Sequence, residues 1–242
     1  MNSELKQLYE SKWNNLLNGA LSLKVDAANP LLIKVDEDYI NSDIKIMIVG
    51  QETDGWHGQL KSSSHNVDSL MNGYYDYFHK KTKNGKERGK RAFWNFKNFS
   101  YFEHELTKHF KDKSVSFLWN NISKIGNNGR GKPHKSIRSL ERTHFNIVKE
   151  EFRILKPDIV IFTTGSSRDP YIRHHFGEGV KFIPKLQLEG GKLANETLNL
   201  LAEVIVPDFS SMLAVRIEHP NRRTLSNKVT LHLIKELVKN KT

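Results

Sequence analysis

Four short apolar runs, residues 44–49, 115–119, 158–163 and 213–217, stand out along an otherwise polar chain. None alternates apolar with polar residues, which is the pattern of strands buried on both faces. Elsewhere the apolar positions recur at helical spacing. Residues 3–18 place Leu5, Leu8, Trp13, Leu16 and Leu17 together behind a capping Ser3, and residues 138–155 form a second such stretch closing near Pro157. A third follows Lys192, and residues 226–239 align Val229, Leu233 and Leu237. Strands alternating with helices predict an α/β fold with a mostly parallel sheet, whose working residues lie beyond the carboxyl ends of the strands.

Those four ends read Gly50-Gln51-Glu52-Thr53-Asp54-Gly55-Trp56, Asn120-Asn121-Ile122-Ser123-Lys124, Gly165-Ser166-Ser167-Arg168 and His219-Pro220-Asn221-Arg222-Arg223. Each alone has an ordinary explanation: a glycine turn, an asparagine cap, a small-residue turn, a turn histidine. Together they bring a carboxylate, an amide, a phosphate-compatible turn and a histidine to one edge of one sheet.

Charge narrows the partner. The 242 residues carry 38 Lys and Arg against 27 Asp and Glu, a formal net charge of +11, so an anionic partner is expected, with DNA ahead of a membrane surface. No stretch is long and apolar enough to span a bilayer, and MNSELKQLYESKW has no signal-peptide core, which predicts a cytoplasmic protein. The absence of cysteine excludes disulfides, Cys-ligated zinc and Cys-ligated iron–sulfur clusters. There is no internal repeat, and the one biased segment is the basic insertion at 79–91, which reads either as a solvated loop or as a DNA-contacting arm. GNNGRGK at 126–132 matches the opening of a nucleotide-binding P-loop, but Pro133 stands where a magnesium-binding Ser or Thr belongs. Proline also lacks the N–H and disfavours helical geometry at Lys132, so no nucleotide cofactor is expected. The loop instead offers Lys132 to a nucleic-acid backbone.

In this order the strand ends resemble the motifs of the uracil-DNA glycosylase superfamily over about residues 44–240. VGQETD stands where that family has Gly-Gln-Asp-Pro-Tyr-His, Asn120 where it has a base-reading Asn, TTGSS where it has a phosphate-contacting turn, and HPNRR where it has His-Pro-Ser and a wedge residue. The resemblance implies one domain over residues 1–242, a three-layer sandwich in which a central, mostly parallel four-stranded sheet is flanked by helices. It implies a monomer that excises a flipped-out base, without metal or cofactor. Glu52 or Asp54 would stabilise the sugar cation and orient water, and His219 would donate to the base carbonyl. Gln51, Asn120 and Trp56 would contact the base; Ser166, Ser167, Lys132 and Arg222 the DNA backbone; and Arg223, four residues after the histidine, would be the wedge. Tyr74, Phe93 and Trp94 join Trp56 as candidates to stack on the base.

Three departures shape the expected substrate. Glu52 replaces the family's catalytic Asp, Thr53 replaces Pro, and Asp54 replaces the Tyr that blocks substituents at pyrimidine C5. An open, acidic pocket wall suits a 5-substituted pyrimidine such as hydroxymethylated or glucosylated cytosine, with a role in defence against bacterial viruses. The alternatives are a uracil or damaged-base repair glycosylase, a catalytically inactive DNA-binding module of this fold, and an enzyme acting on free nucleosides. The net charge disfavours the last of these.

Overall fold

A strand with no polar face must be covered on both sides, and the four apolar runs all lie in one sheet, with residues 115–117 of the second run left partly exposed at its start. In a computed structural model the described residues are 1–82, 85–86, 91–185 and 197–240. In chain order the strands are β1 (Ile44–Gly50), the two-residue β2 (Lys81–Thr82) and β3 (Gly85–Lys86), β4 (Val115–Asn121), β5 (Ile159–Phe162), β6 (Lys181–Pro184), β7 (Leu201–Ile205) and β8 (Leu213–Ile217). The helices are α1 (Asn2–Leu21), α2 (Glu37–Asn41), α3 (Val67–Phe78), α4 (Phe99–His109), α5 (Lys135–His144), α6 (Val148–Leu155), α7 (Asp169–Phe176) and α8 (Asn227–Lys239).

The fold is α/β, with a mixed six-stranded sheet ordered β4-β1-β5-β8-β7-β6 and flanked by helices. β1, β5 and β8 run parallel, with Val49 opposite Phe162 and Ile161 opposite Val215. β4 runs the same way, since its start adjoins that of β1 through Ile44 N–H on the Ser114 carbonyl at 3.1 Å. The expected four-stranded sheet is therefore corrected to six strands, because β7 pairs antiparallel with β8 and β6 antiparallel with β7. Both additions escape a reading of pattern. β6 is four residues long and ends in proline, and β7 belongs to a stretch in which Leu198, Leu201, Ala202 and Ile205 also recur at helical spacing. The helix expected after Lys192 lies outside the described residues as far as 196, and so do residues 83–84 and 87–90 of the 79–91 insertion.

Two compact units divide the chain. The first comprises Met1–Ile40, Gln51–Arg88 and Asn120–Lys156; the second comprises Asn41–Gly50, Gly89–Trp119 and Pro157–Thr242. In the first unit α1 packs on α3, α5 and α6 through Leu5, Tyr9, Leu16 and Ala20. Ser3 is not the cap of α1: the helix starts at Asn2, whose side-chain amide is spent on the backbone of Val35 at 2.9 and 3.0 Å. The single helix expected over 138–155 is broken into α5 and α6 around the buried Phe145 and Ile147. On one straight helix Glu141 and Glu151 would sit about 80° and roughly 15 Å apart. The break lets both bond to Lys124.

In the second unit α8 packs on β8 and α4, with Ser226 as its cap. Among the described residues the one charge buried mid-strand is Arg216 of β8, wholly enclosed. Asp169, at the start of α7, accepts from its Nε and Nη2 at 3.0 and 3.1 Å, and the carbonyls of Leu198 and Asn199 accept at 2.7 and 3.1 Å. No helix among the described residues is long and apolar enough to cross a membrane.

Arg216→Met would leave Asp169 and two carbonyls without their donor and should cost roughly 3–5 kcal/mol. Urea unfolding measures it, and Asp169→Asn in the same chain should recover part of the loss. A midpoint shift no larger than that of a surface substitution would contradict the assignment.

Candidate active site

From Gly50 the chain passes into a loop, residues 51–58, that the first unit laces in place. Ser123 N–H donates to the Gln51 carbonyl at 2.9 Å and Gly55 N–H to the Asn127 carbonyl at 3.1 Å, while Asn29 N–H is shared between the carbonyls of Trp56 and Gly58. Gly55 adopts φ +65°, which glycine takes without steric cost. Gly126 admits no side chain, because a Cβ there would lie 1.9 Å from the Thr53 carbonyl oxygen. Asp54 Oδ1 accepts from Gly131 N–H at 3.3 Å. The glycine-rich loop 126–132 thus packs on the acidic loop. The next helix opens only at Lys135, capped by the ring of His134. Lys132 is exposed, Gln51 and Glu52 are partly exposed, and Thr53 is buried. Trp56 meets Tyr77 edge-on, with centroids 5.4 Å apart.

Asn120 sits in a wholly enclosed polar cluster of the same unit. Its Oδ1 accepts from Lys124 Nζ and from Asn121 N–H, both at 2.8 Å, and its Nδ2 donates to Glu151 Oε2 at 3.1 Å. Lys124 Nζ also contacts both Glu151 oxygens at 2.8 and 2.9 Å, and Tyr9 donates its hydroxyl proton to Glu151 at 2.7 Å. Burial lowers the Lys124 pKa and raises that of Tyr9. Glu141 accepts from Lys124 N–H and Ile125 N–H at 2.9 and 3.2 Å, yet burial pushes its pKa up to about 7.

In the second unit β5 runs through Thr163 and Thr164 into Gly165, at φ +71°, and a 3₁₀ turn Ser166–Arg168. Gly165 N–H donates to the Ile217 carbonyl at 2.9 Å, so this turn lies against the end of β8. A Cβ on Gly165 would stand 3.5 Å from the backbone nitrogen of His219. Ser166 is partly exposed and Ser167 exposed. Asn221 N–H donates to His219 Nδ1 at 3.3 Å, which leaves the ring proton of the neutral imidazole on Nε2. Partial burial, then the positive charges of Arg223, Arg168 and Arg222, lower the His219 pKa, so the ring is neutral at pH 7. Arg222 is exposed. Arg223 is engaged: its guanidinium donates to Lys97 O at 2.7 Å, Asn98 Oδ1 at 2.8 Å, Glu218 O at 3.2 Å and also Asn227 Oδ1.

No family model matches this chain, and no curated protein does. Its own geometry therefore carries the assignment. Within the first unit the Gln51–Asp54 loop and the 126–132 loop adjoin, while Asn120 is spent inside the core. Within the second, the Ser166 turn, His219, Arg222 and Arg223 gather at the joined ends of β5 and β8. Of the stacking candidates, Tyr74 and Trp94 are buried in packing. Two residues went unassigned in the sequence. Arg168 is buried over the Tyr171 ring at 5.1 Å and contributes to the field on His219; its sole signal was its place directly after Gly-Ser-Ser. Asn29, whose Nδ2 donates to the His57 carbonyl at 3.0 Å, had none. Among the described residues no group of three or more His, Asp or Glu could hold a metal ion.

Gly126→Ala should displace the 51–56 loop and cost about 1–3 kcal/mol. Thermal unfolding and backbone amide shifts of residues 51–56 check it; unchanged shifts would contradict the close approach. Glu141 gives a pH test. Its folded pKa, about 7, exceeds the ordinary value of 4.5, so the folded state holds the proton more tightly. Stability should therefore fall as pH rises from about 4.5 to 7, by up to roughly 3 kcal/mol. In Glu141→Gln that slope should be reduced in urea unfolding across the same range; an identical slope would contradict it.

Proposed function

We propose that the chain is a DNA glycosylase, hydrolysing the N-glycosidic bond of a base swung out of the stack and leaving an abasic site. The observation that carries this reading is His219, a neutral imidazole with Nδ1 occupied by a backbone N–H and three arginines around it. Cleavage of the bond builds negative charge on the departing base and positive charge on the sugar. A fixed Nε2–H donor stabilises the first as it develops, and the guanidinium field of Arg168, Arg222 and Arg223 acts in the same direction. Neutrality fits that role, because the Nε2–H hydrogen bond strengthens as negative charge develops on the base.

In this reading the carboxylate that stabilises the sugar and orients water is Glu52. Asp54 was its rival, but one Asp54 oxygen is engaged by Gly131 N–H, which supports a role in shaping the loop. Asp54 also stands where the resembling family has a tyrosine, and the substrate proposed is accordingly a 5-substituted pyrimidine, with hydroxymethylated or glucosylated cytosine as the class to test. Ser166, Ser167, Arg222 and Lys132 are proposed for backbone phosphate, in keeping with the net charge of +11.

A second reading, a DNA-binding module of this fold without catalysis, draws support from one observation. Asn120 is wholly buried with both ends of its amide occupied, so it offers no group to a base in this arrangement.

Labelled duplexes carrying cytosine, 5-hydroxymethylcytosine, glucosylated 5-hydroxymethylcytosine or uracil separate these readings after alkaline cleavage. The wild type should create alkali-labile sites at the modified cytosines. His219→Ala and Glu52→Gln should lose about 100-fold or more in rate, and Asp54→Asn clearly less. Efficient release of uracil with modified cytosine untouched would overturn the substrate class. Absence of cleavage in every duplex, with salt-sensitive binding retained, would favour the binding module.

A further inference from the structure

The resemblance assigns the duplex-opening wedge to Arg223, yet that side chain faces into the second unit, where both of its terminal nitrogens are engaged. What it holds is a surface turn. Lys97 N–H donates to Asn95 Oδ1 at 2.8 Å and Asn98 N–H to Asn95 O at 2.9 Å, closing the turn on itself. Arg223 donates to Lys97 O and Asn98 Oδ1, and Asn227 Nδ2 donates to Lys97 O at 3.1 Å. The flanks are anchored in the core: Trp94, 7% exposed, lies 4.9 Å from the Trp119 ring centroid, and Phe99 and Asn98 are wholly buried. At the tip stands Phe96, 65% exposed.

A lone exposed apolar residue ordinarily means nothing. This one differs in its mounting. Burial pulls the Arg223 pKa down to about 10, so a guanidinium has been partly desolvated to fix the backbone that presents one aromatic ring. Such a cost is understandable where the shape of the turn is used. Arg223 also bonds to the Glu218 carbonyl, so the same side chain ties the turn to the residue before His219. A base cannot be held outside the stack unless its gap is filled, and proteins fill such gaps with apolar side chains.

We propose that Phe96 is the side chain that inserts into the duplex beside the extruded base, and that Arg223 is its buttress rather than the wedge itself. A rigid aromatic loses little conformational entropy on insertion and stacks on whichever base remains, so its contribution does not depend on sequence. Lys97, exposed beside it, lies ready for the flanking phosphate.

This inference rests on the glycosylase reading, and the test tells their failures apart. The probe is a duplex with a central tetrahydrofuran abasic-site analogue and a neighbouring 2-aminopurine, beside the same duplex intact. The wild type should prefer the tetrahydrofuran duplex and alter 2-aminopurine emission. Phe96→Ala should lose about five- to 100-fold of that preference and the emission change, with intact-duplex binding and melting temperature unchanged. Phe96→Trp should retain both properties. Phe96→Ala matching the wild type in affinity and emission would overturn the wedge alone. A wild type that does not distinguish the two duplexes would overturn the glycosylase reading and the wedge with it.

Discussion

A strand apolar on both faces can carry chemistry only where it ends. β1, β4, β5 and β8 are such strands, and because they run parallel their carboxyl ends share one edge of the sheet. That constraint governs the rest: the acidic loop, the buried asparagine, the small-residue turn and the histidine each follow within a few residues of the end of an apolar run. Arg216 is a charge buried within such a strand. It is tolerated because Asp169 and two carbonyls accept four hydrogen bonds from it.

Each unit spends one buried ionic cluster on holding a segment that bears candidate residues. In the first, Lys124, Glu151 and Glu141 fix residues 120–125, against whose continuation Thr53 packs. In the second, Arg216 and Asp169 join β8, which leads to His219, to the helix that follows Ser166. Buried pairs of this kind add little net stability but penalise alternative arrangements once formed. Around His219 the same economy appears at the surface, where Glu218 accepts from Thr224 N–H and Leu225 N–H at 2.9 Å each and closes the loop carrying Arg222.

The four short apolar runs and the two terminal helices were legible because burial on two faces, or on one stripe, leaves its mark on the pattern of the chain. β6 and β7 were not, since the four-residue edge strand β6 is too short to show a period and the apolar residues of β7 also recur at helical spacing. At the site, position along the chain was readable and side-chain commitment was not. Asn120 and Arg223 stand where motif order puts them, but their partners, Glu151 and Asn98, lie 31 and 125 residues away. No local pattern reports such bonds. Conversely, the tautomer of His219 depends on Asn221 two residues on, and His-Pro-Asn carries that information to anyone who asks where Nδ1 finds its donor.

The most direct test of the central claim is to treat cellular and viral DNAs differing in their cytosine modification with the protein, and to identify by mass spectrometry whatever is set free. The account expects a free 5-substituted cytosine base, released in equal number with new abasic sites and only from the DNAs that carry it. Release of nucleosides or nucleotides instead of bases, or of no base from any DNA, would contradict it.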